Sequence, residues 1–239
     1  MIKLTGVKYT KIGVMILSKR KIESFVHRQL LDYDKHYFDH PHPVNIDDFV
    51  ENYLKLNIEF HQLSLDRSEL GATALSDGTI QIIDSDGKVS LRFFRKGSIY
   101  IDDVACNSEN RTSFTIGHEA GHSQFNKKVK AELIDNKDQI RDKVIQIGSQ
   151  YIKRRTKTDK EWMEWQADTY SAYLHMPREF VIQLYREKHN EYFKNKRITT
   201  SRPNRLWKIV IEISDFLHVS KEALAIRLKE LKLISKDQF

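Results

Sequence analysis

Cysteine is all but missing from this chain: Cys106 stands alone, so no disulfide can form within it and a reducing compartment suits the composition. Cys106 itself reads as a buried small apolar residue rather than a nucleophile. Proline is scarce, four in 239 residues, and there is no internal repeat or low-complexity tract. No apolar run approaches the roughly 18 residues that a membrane-spanning helix needs. The stretch Ile12-Gly13-Val14-Met15-Ile16-Leu17 is short, and no small-residue cleavage site follows it, so it reads as a first strand or a packing arm rather than a signal peptide. Met15 could equally be the true initiator. These absences lead to the expectation of a cytoplasmic protein.

What is present is the material of a packed core. Hydrophobic residues make up 40% and aromatics 10%, which argues against disorder, and the length suits one substantial domain, alone or with a small helical appendage. The formal charge of +7 permits a loose attraction to nucleic acid or acidic partners and says nothing about fold. Its clearest concentration, Lys153, Arg154, Arg155, Lys157 and Lys160, reads as a solvated face.

Apolar residues at Ile22, Phe25, Val26, Leu30 and Tyr33 have helical spacing, and the segment ends before His40-Pro41-His42-Pro43, because proline disfavours helical geometry in the residue before it. A shorter helix starting near Asn45 or Asp47 would bury Phe49, Val50, Tyr53 and Leu54. The period then changes. Leu56, Ile58 and Phe60 alternate with polar neighbours, while Asp77-Gly78 and Asp86-Gly87 flank a Thr79–Ile83 strand as turn signals. Two more β-rich stretches, 89–94 and 98–101, complete a small, mostly antiparallel sheet of three to five strands. Helical spacing returns near 110–126, 159–176, 178–190, 204–217 and 221–233. The predicted fold class is therefore α+β, a small sheet packed on a helical core with C-terminal helices. The predicted division is an N-terminal arm and helix over 1–43, a core over 44–190, and a helical segment over 191–239 packed on that core, with the polar stretch 190–204 as linker.

Residues 118–122 read His-Glu-Ala-Gly-His. On a helix, positions i and i+4 share a face, so His118 and His122 can hold one ion between them. Glu119 projects beside that ion, where it can take a proton from water. Ser108 or Asn110 would cap the helix. A catalytic zinc needs three protein ligands and an open position, and the third must come from a second element. Glu161 and Glu164 both qualify. Thr158 with Glu161 forms a capping box, which gives Glu161 a local duty at a helix start. Glu164, one turn deeper, is the preferred ligand, and Asp168, one turn further, can orient an imidazole through its other ring nitrogen. Pro177 closes the helix after Met176. His175, near the same face, is read either as an oxyanion or substrate contact or as a partly buried helical histidine.

Phe114-Thr115-Ile116-Gly117-His118-Glu119-Ala120-Gly121-His122, then Glu164-Trp165-Gln166-Ala167-Asp168-Thr169-Tyr170, then Leu174-His175-Met176-Pro177 together resemble the ImmA/IrrE metallopeptidases, a gluzincin-like family. Gly71, the strand from Gly78, and Val219-Ser220 with Arg227-Leu228 extend the likeness over about Val44 to Leu233. Two features depart from the family pattern: His175 stands where leucine is usual, and the text between His122 and Glu164 is long and basic. Many members also carry an N-terminal DNA-binding module, for which Met1 to Val44 is too short. The resemblance implies zinc held by His118, His122 and Glu164, catalysis by Glu119, and a cytoplasmic enzyme that cleaves or inactivates a helix-turn-helix repressor. Tyr170, Tyr173 and His175 are the unranked candidates for an oxyanion donor. The alternatives are a DNA-binding regulator using the basic C-terminal helix after Ser220, and a zinc-holding sensor that sequesters a repressor without cutting it. A second metal site at His36, His40 and His42 is a further option, against the plainer reading of a proline-broken loop.

Overall fold

The helix that carries the His-Glu-Ala-Gly-His sequence is the axis of its surroundings. A computed structural model describes residues 2, 4–129, 158–194 and 202–235, so most of the basic cluster singled out above lies outside the described residues. In chain order the elements are strands β1 (Lys8–Tyr9) and β2 (Met15–Ile16), helices α1 (Lys19–Tyr33) and α2 (Ile46–Asp48), a π-helical turn Phe49–Tyr53, and strands β3 (Asn57–Phe60), β4 (Gly71–Thr73), β5 (Gly78–Ile83), β6 (Val89–Phe94) and β7 (Ser98–Ile101). Helices α3 (Glu109–Phe125), α4 (Asp159–His175), α5 (Arg178–Lys194), α6 (Arg202–Phe216) and α7 (Lys221–Glu230) follow. The architecture is α+β.

Capping residues set several of these boundaries. The Asn45 side chain accepts from the Asp48 N–H at the head of α2, Ser108 from Arg111 at the head of α3, and Ser220 from Ala223 at the head of α7. Each satisfies a donor that a helix start leaves orphaned. At α4 the capping box closes in both directions: the Thr158 N–H donates to Glu161 Oε2 at 2.7 Å, and the Glu161 N–H to Thr158 Oγ1 at 3.2 Å.

The strand pairing is mostly antiparallel, as expected, but it is spread over more than one sheet. Among the described residues there are three small sheets: β1 with β2, β5 with β6, and the order β3-β7-β4. Within the last, β4 runs antiparallel to β7, but β3 runs parallel to it, Asn57 opposite Ser98 through Phe60 opposite Ile101. The turn signals explain the separation, since a chain reversing through Ser85–Gly87 pairs β5 with β6 along its full length. The parallel pairing had no local signature, because alternation reports which face a strand buries and not the direction of its neighbour.

Contacts divide the chain into two units, Met1–Phe25 with Asn45–Ser171, and Val26–Val44 with Ala172–Phe239. In the first, Leu63, Ala72, Ala74, Ile80, Ile82, Phe94 and Tyr100 form a buried cluster under the strands. The loop before α3 is knitted by Asp102, fully buried, whose carboxylate accepts from the N–H groups of Leu63 (2.7 Å), Val104 (3.0 Å) and Ala105 (2.6 Å). In the second unit, Leu206, Ile209, Val210 and Ile213 of α6 pack with Val181 and Leu184 of α5 and with Leu224 and Leu228 of α7. Arg227 is buried there, donating to the Met176 carbonyl at 3.1 Å with its guanidinium 4.2 Å from the centre of the Tyr173 ring.

Candidate metal centre

Helix α3 buries almost all of its second half, from Thr115 to Phe125. His118 and His122, one turn apart, are both fully buried and bring their Nε2 atoms to 2.9 Å of one another. Glu164 of α4 reaches the same point, Oε2 at 3.4 Å from His118 Nε2 and Oε1 at 3.8 Å from His122 Nε2. One ligand atom from each of these residues lies within 4.8 Å of the others, and among the described residues no other group of three or more His, Cys, Asp or Glu is arranged to hold an ion. His36, in the loop considered as a second site, turns instead to Asp39 at 3.0 Å, and His42 Nε2 lies 3.2 Å from the Tyr37 carbonyl. Glu161 stays in its capping box.

The outer ring nitrogens are also occupied. Asp168 Oδ1 stands 2.8 Å from His118 Nδ1. An ionised carboxylate only accepts, so that contact puts the proton on Nδ1 and leaves the Nε2 lone pair facing inward. The side-chain amide of Asn126, buried at the end of α3, lies 2.8 Å from His122 Nδ1. An amide presents an acceptor at one atom and a donor at the other, so with Oδ1 turned to the ring Asn126 accepts from His122 Nδ1–H, which leaves the Nε2 lone pair of His122 facing inward.

Two inward lone pairs against a buried carboxylate make an arrangement that a cation completes. Neither oxygen of Glu164 has a hydrogen-bond partner, a costly state for a buried carboxylate unless a positive charge sits beside it. Two imidazoles and one carboxylate are also a donor set that zinc takes in catalytic sites. The residues present fit the ion.

Without a cation the charges compensate among themselves. Burial disfavours the charged form of His118, but Asp168 and Glu164 outweigh it and raise its pKa to about 10. Burial and the neighbouring His118 lower that of His122. Burial opposes ionisation of Glu164, yet the two imidazoles hold its pKa below the usual range. Glu119 is driven up to about 8 by burial, against the pull of His118. A divalent ion held here would invert these preferences, taking the proton's place on His118 and favouring the ionised Glu119.

Glu119 is walled by the neighbouring edge strand. The Thr73 hydroxyl of β4 lies 2.7 Å from Glu119 Oε2 and 2.8 Å from the Glu119 carbonyl, with one proton to give to either. Glu119 Oε1 has no partner. Gly71 makes room: a Cβ there would stand 2.9 Å from Oε1 and 2.8 Å from Thr115 Cγ2. Gly121 performs the corresponding service between the helices, since a Cβ on it would meet Ala167 Cα at 2.9 Å. With nothing but hydrogen at Gly121 and a methyl at Ala167, α3 and α4 approach closely enough for Glu164 and Asp168 to reach the histidines. The Ser171 hydroxyl donating to the Phe114 carbonyl at 2.8 Å fastens the same pair.

The chain matches the family described as the IrrE N-terminal-like domain over residues 79–229, which takes in all of α3 and α4. It belongs to that family. The IrrE N-terminal-like proteins are a family of metallopeptidases, so the match and the cluster agree on the class of chemistry. No curated protein matches the chain significantly. Among the described residues, no helix is long and apolar enough to cross a membrane.

The remaining site candidates fall as follows. Tyr170 is fully buried and packs edge-on against Phe125, ring centres 5.5 Å apart, and on Phe25. Tyr173 and His175 belong to the second unit, where the Tyr173 hydroxyl donates to Glu230 at 2.6 Å and His175 is buried. Thr73, Gly121 and Asn126 escaped the sequence reading as site residues, and Gly71 entered it only through the family likeness. Asn126 had a usable signal, standing one turn after His122 on the same helical face. Thr73 had none, because its contact spans 46 positions.

Proposed function

We propose that this chain is a zinc-dependent endopeptidase acting on an intracellular protein, a helix-turn-helix transcriptional repressor being the substrate class that the family membership favours. The observation that carries this reading is the convergence of His118, His122 and Glu164 on one point with the carboxylate of Glu119 held beside it. His118, His122 and Glu164 would hold the ion, and Asp168 would orient His118. When bound, zinc supplies Lewis-acid polarisation of a carbonyl and acidifies water toward neutrality.

Glu119 serves as general base and then acid. Oε2 is held by Thr73, so the unpartnered Oε1 is the oxygen available to receive a proton from the attacking water and return it to the leaving nitrogen. An extended substrate segment adding to β4, which among the described residues pairs on one side only, with β7, would lie along the wall of Glu119.

Glu119→Gln keeps the shape of the side chain and removes its basicity. We expect that variant to retain zinc by elemental analysis and to lose cleavage of a co-expressed repressor, seen as loss of the shortened band. Glu164→Ala should lose zinc itself. Cleavage by Glu119→Gln at the parent rate would end the proposed mechanism. A parent protein that binds zinc and repressor yet never shortens it would leave a sequestering regulator in its place.

A further inference from the structure

Strand β6 is the outer member of a two-stranded sheet, and its hydrogen-bond phase can be read from its turn. The Asp84 N–H donates to the Lys88 carbonyl at 2.9 Å. In an antiparallel ladder bonded and non-bonded pairs alternate, so Ser90, Arg92 and Phe94 bond to β5 opposite Ile82, Ile80 and Gly78. Val89, Leu91 and Phe93 then turn their N–H and C=O groups away from β5, toward the open edge. The other side of the hairpin agrees: the Ile83 N–H, opposite Val89, points away from β6 and donates to Gln62 at 2.9 Å.

The same three residues are the exposed apolar side chains of the strand. Val89 is 57% exposed, Leu91 61% and Phe93 62%. Unpaired backbone groups and a solvent-facing apolar row therefore coincide on one edge, a combination that sheet proteins ordinarily avoid because it templates strand addition. Among the described residues nothing pairs with that edge.

Charge selects the occupant. Lys88, Arg92, Arg95 and Lys96 are all exposed on or beside β6, and 88–96 contains no acidic residue. A second copy pairing antiparallel would bring Lys88 toward Arg95 and Lys96 of its neighbour, like charge against like. We infer that β6 is a docking edge for an extended acidic segment of another protein, with acidic side chains alternating with apolar ones, added as a further strand through Val89, Leu91 and Phe93. An apolar row and a ladder of amide groups suit a peptide better than a nucleic-acid backbone, which would need only the cations. This surface stands independently of the metal centre, and its fate is separate from that of the peptidase reading.

The test uses the full chain and a labelled synthetic peptide in which glutamate alternates with valine and isoleucine. Binding should be retained in Glu119→Gln and weakened about tenfold or more by Leu91→Glu. Backbone exchange then reports the geometry: amide protons of Val89, Leu91 and Phe93 should gain protection on binding, while those of Ser90, Arg92 and Phe94 are protected already. A peptide N-methylated on the residues that face β6 should fail to bind, with the protein itself unaltered. Equal binding of a lysine-for-glutamate peptide, unchanged exchange at Val89, Leu91 and Phe93, competition by single-stranded DNA alone, or protection arising from self-association without peptide would each overturn the proposal.

Discussion

Asn126 and Asp168 show how much of a candidate metal site lies beyond the residues that would hold the ion. Each stands 2.8 Å from the outer nitrogen of one imidazole, where an acceptor keeps the proton on that nitrogen and turns the other toward the proposed ion. Partners of this kind typically account for about 10- to 100-fold in metal affinity. We expect Asn126→Ala and Asp168→Ala each to weaken zinc binding within that range, measured by competition with a chromophoric chelator. Asn126→Asp should restore much of the loss, because its carboxylate still accepts from Nδ1–H. Equal affinity in all three variants would assign these side chains to packing alone. The His-Glu-Ala-Gly-His sequence made His118, Glu119 and His122 legible because ligand spacing and helical period coincide. The neighbours of Glu119 were not legible, since Gly71 and Thr73 matter only once β4 is laid against α3.

At the scale of elements the decisive joint is between α3 and α4. Gly121 faces the backbone of Ala167 across a gap that a methyl group would fill. Gly121→Ala raises helix propensity within α3, yet the approach at 2.9 Å forces the helices apart. Overpacking of this kind costs roughly 1–3 kcal/mol. The variant should therefore unfold at lower denaturant than the parent and bind zinc more weakly, through displacement of Glu164. The start of α4 offers a milder probe: Thr158→Ala removes one arm of the capping box and should cost about 1 kcal/mol, read from the same transitions. Helix positions were well marked in the sequence because amphipathic spacing coincided with start signals at Ser108 and at Thr158 with Glu161, and with a stop at Pro177. Strand pairing was less so, and the parallel contact of β3 with β7 depends on an excursion through β5 and β6 that no local pattern encodes.

For the whole molecule, the α+β class followed from the order of the periods, strands gathered between helical stretches. The division into two units left no comparable mark, because its boundaries pass inside α1 and α4 and helical periodicity runs on through them. Metal should act on the stability of the unit that holds the cluster. Ligand at about 100 times its dissociation constant adds roughly 2.7 kcal/mol to the state that binds it. Zinc is thus expected to raise the melting temperature of the parent and EDTA to lower it, while Glu164→Ala should respond to neither. A thermal shift that is the same with and without Glu164 would place the ion elsewhere.

The distance along the chain between Glu164 and the two histidines has a consequence for biosynthesis. A polypeptide that ends between His122 and Glu164 keeps both imidazoles and lacks the carboxylate, and two side chains on one exposed helical turn grip a metal only weakly. Competence to hydrolyse peptides would then arrive late, after α4 has left the ribosome and docked on α3. Under the proposed chemistry, the order of synthesis itself would delay the activity until both halves of the metal cluster exist.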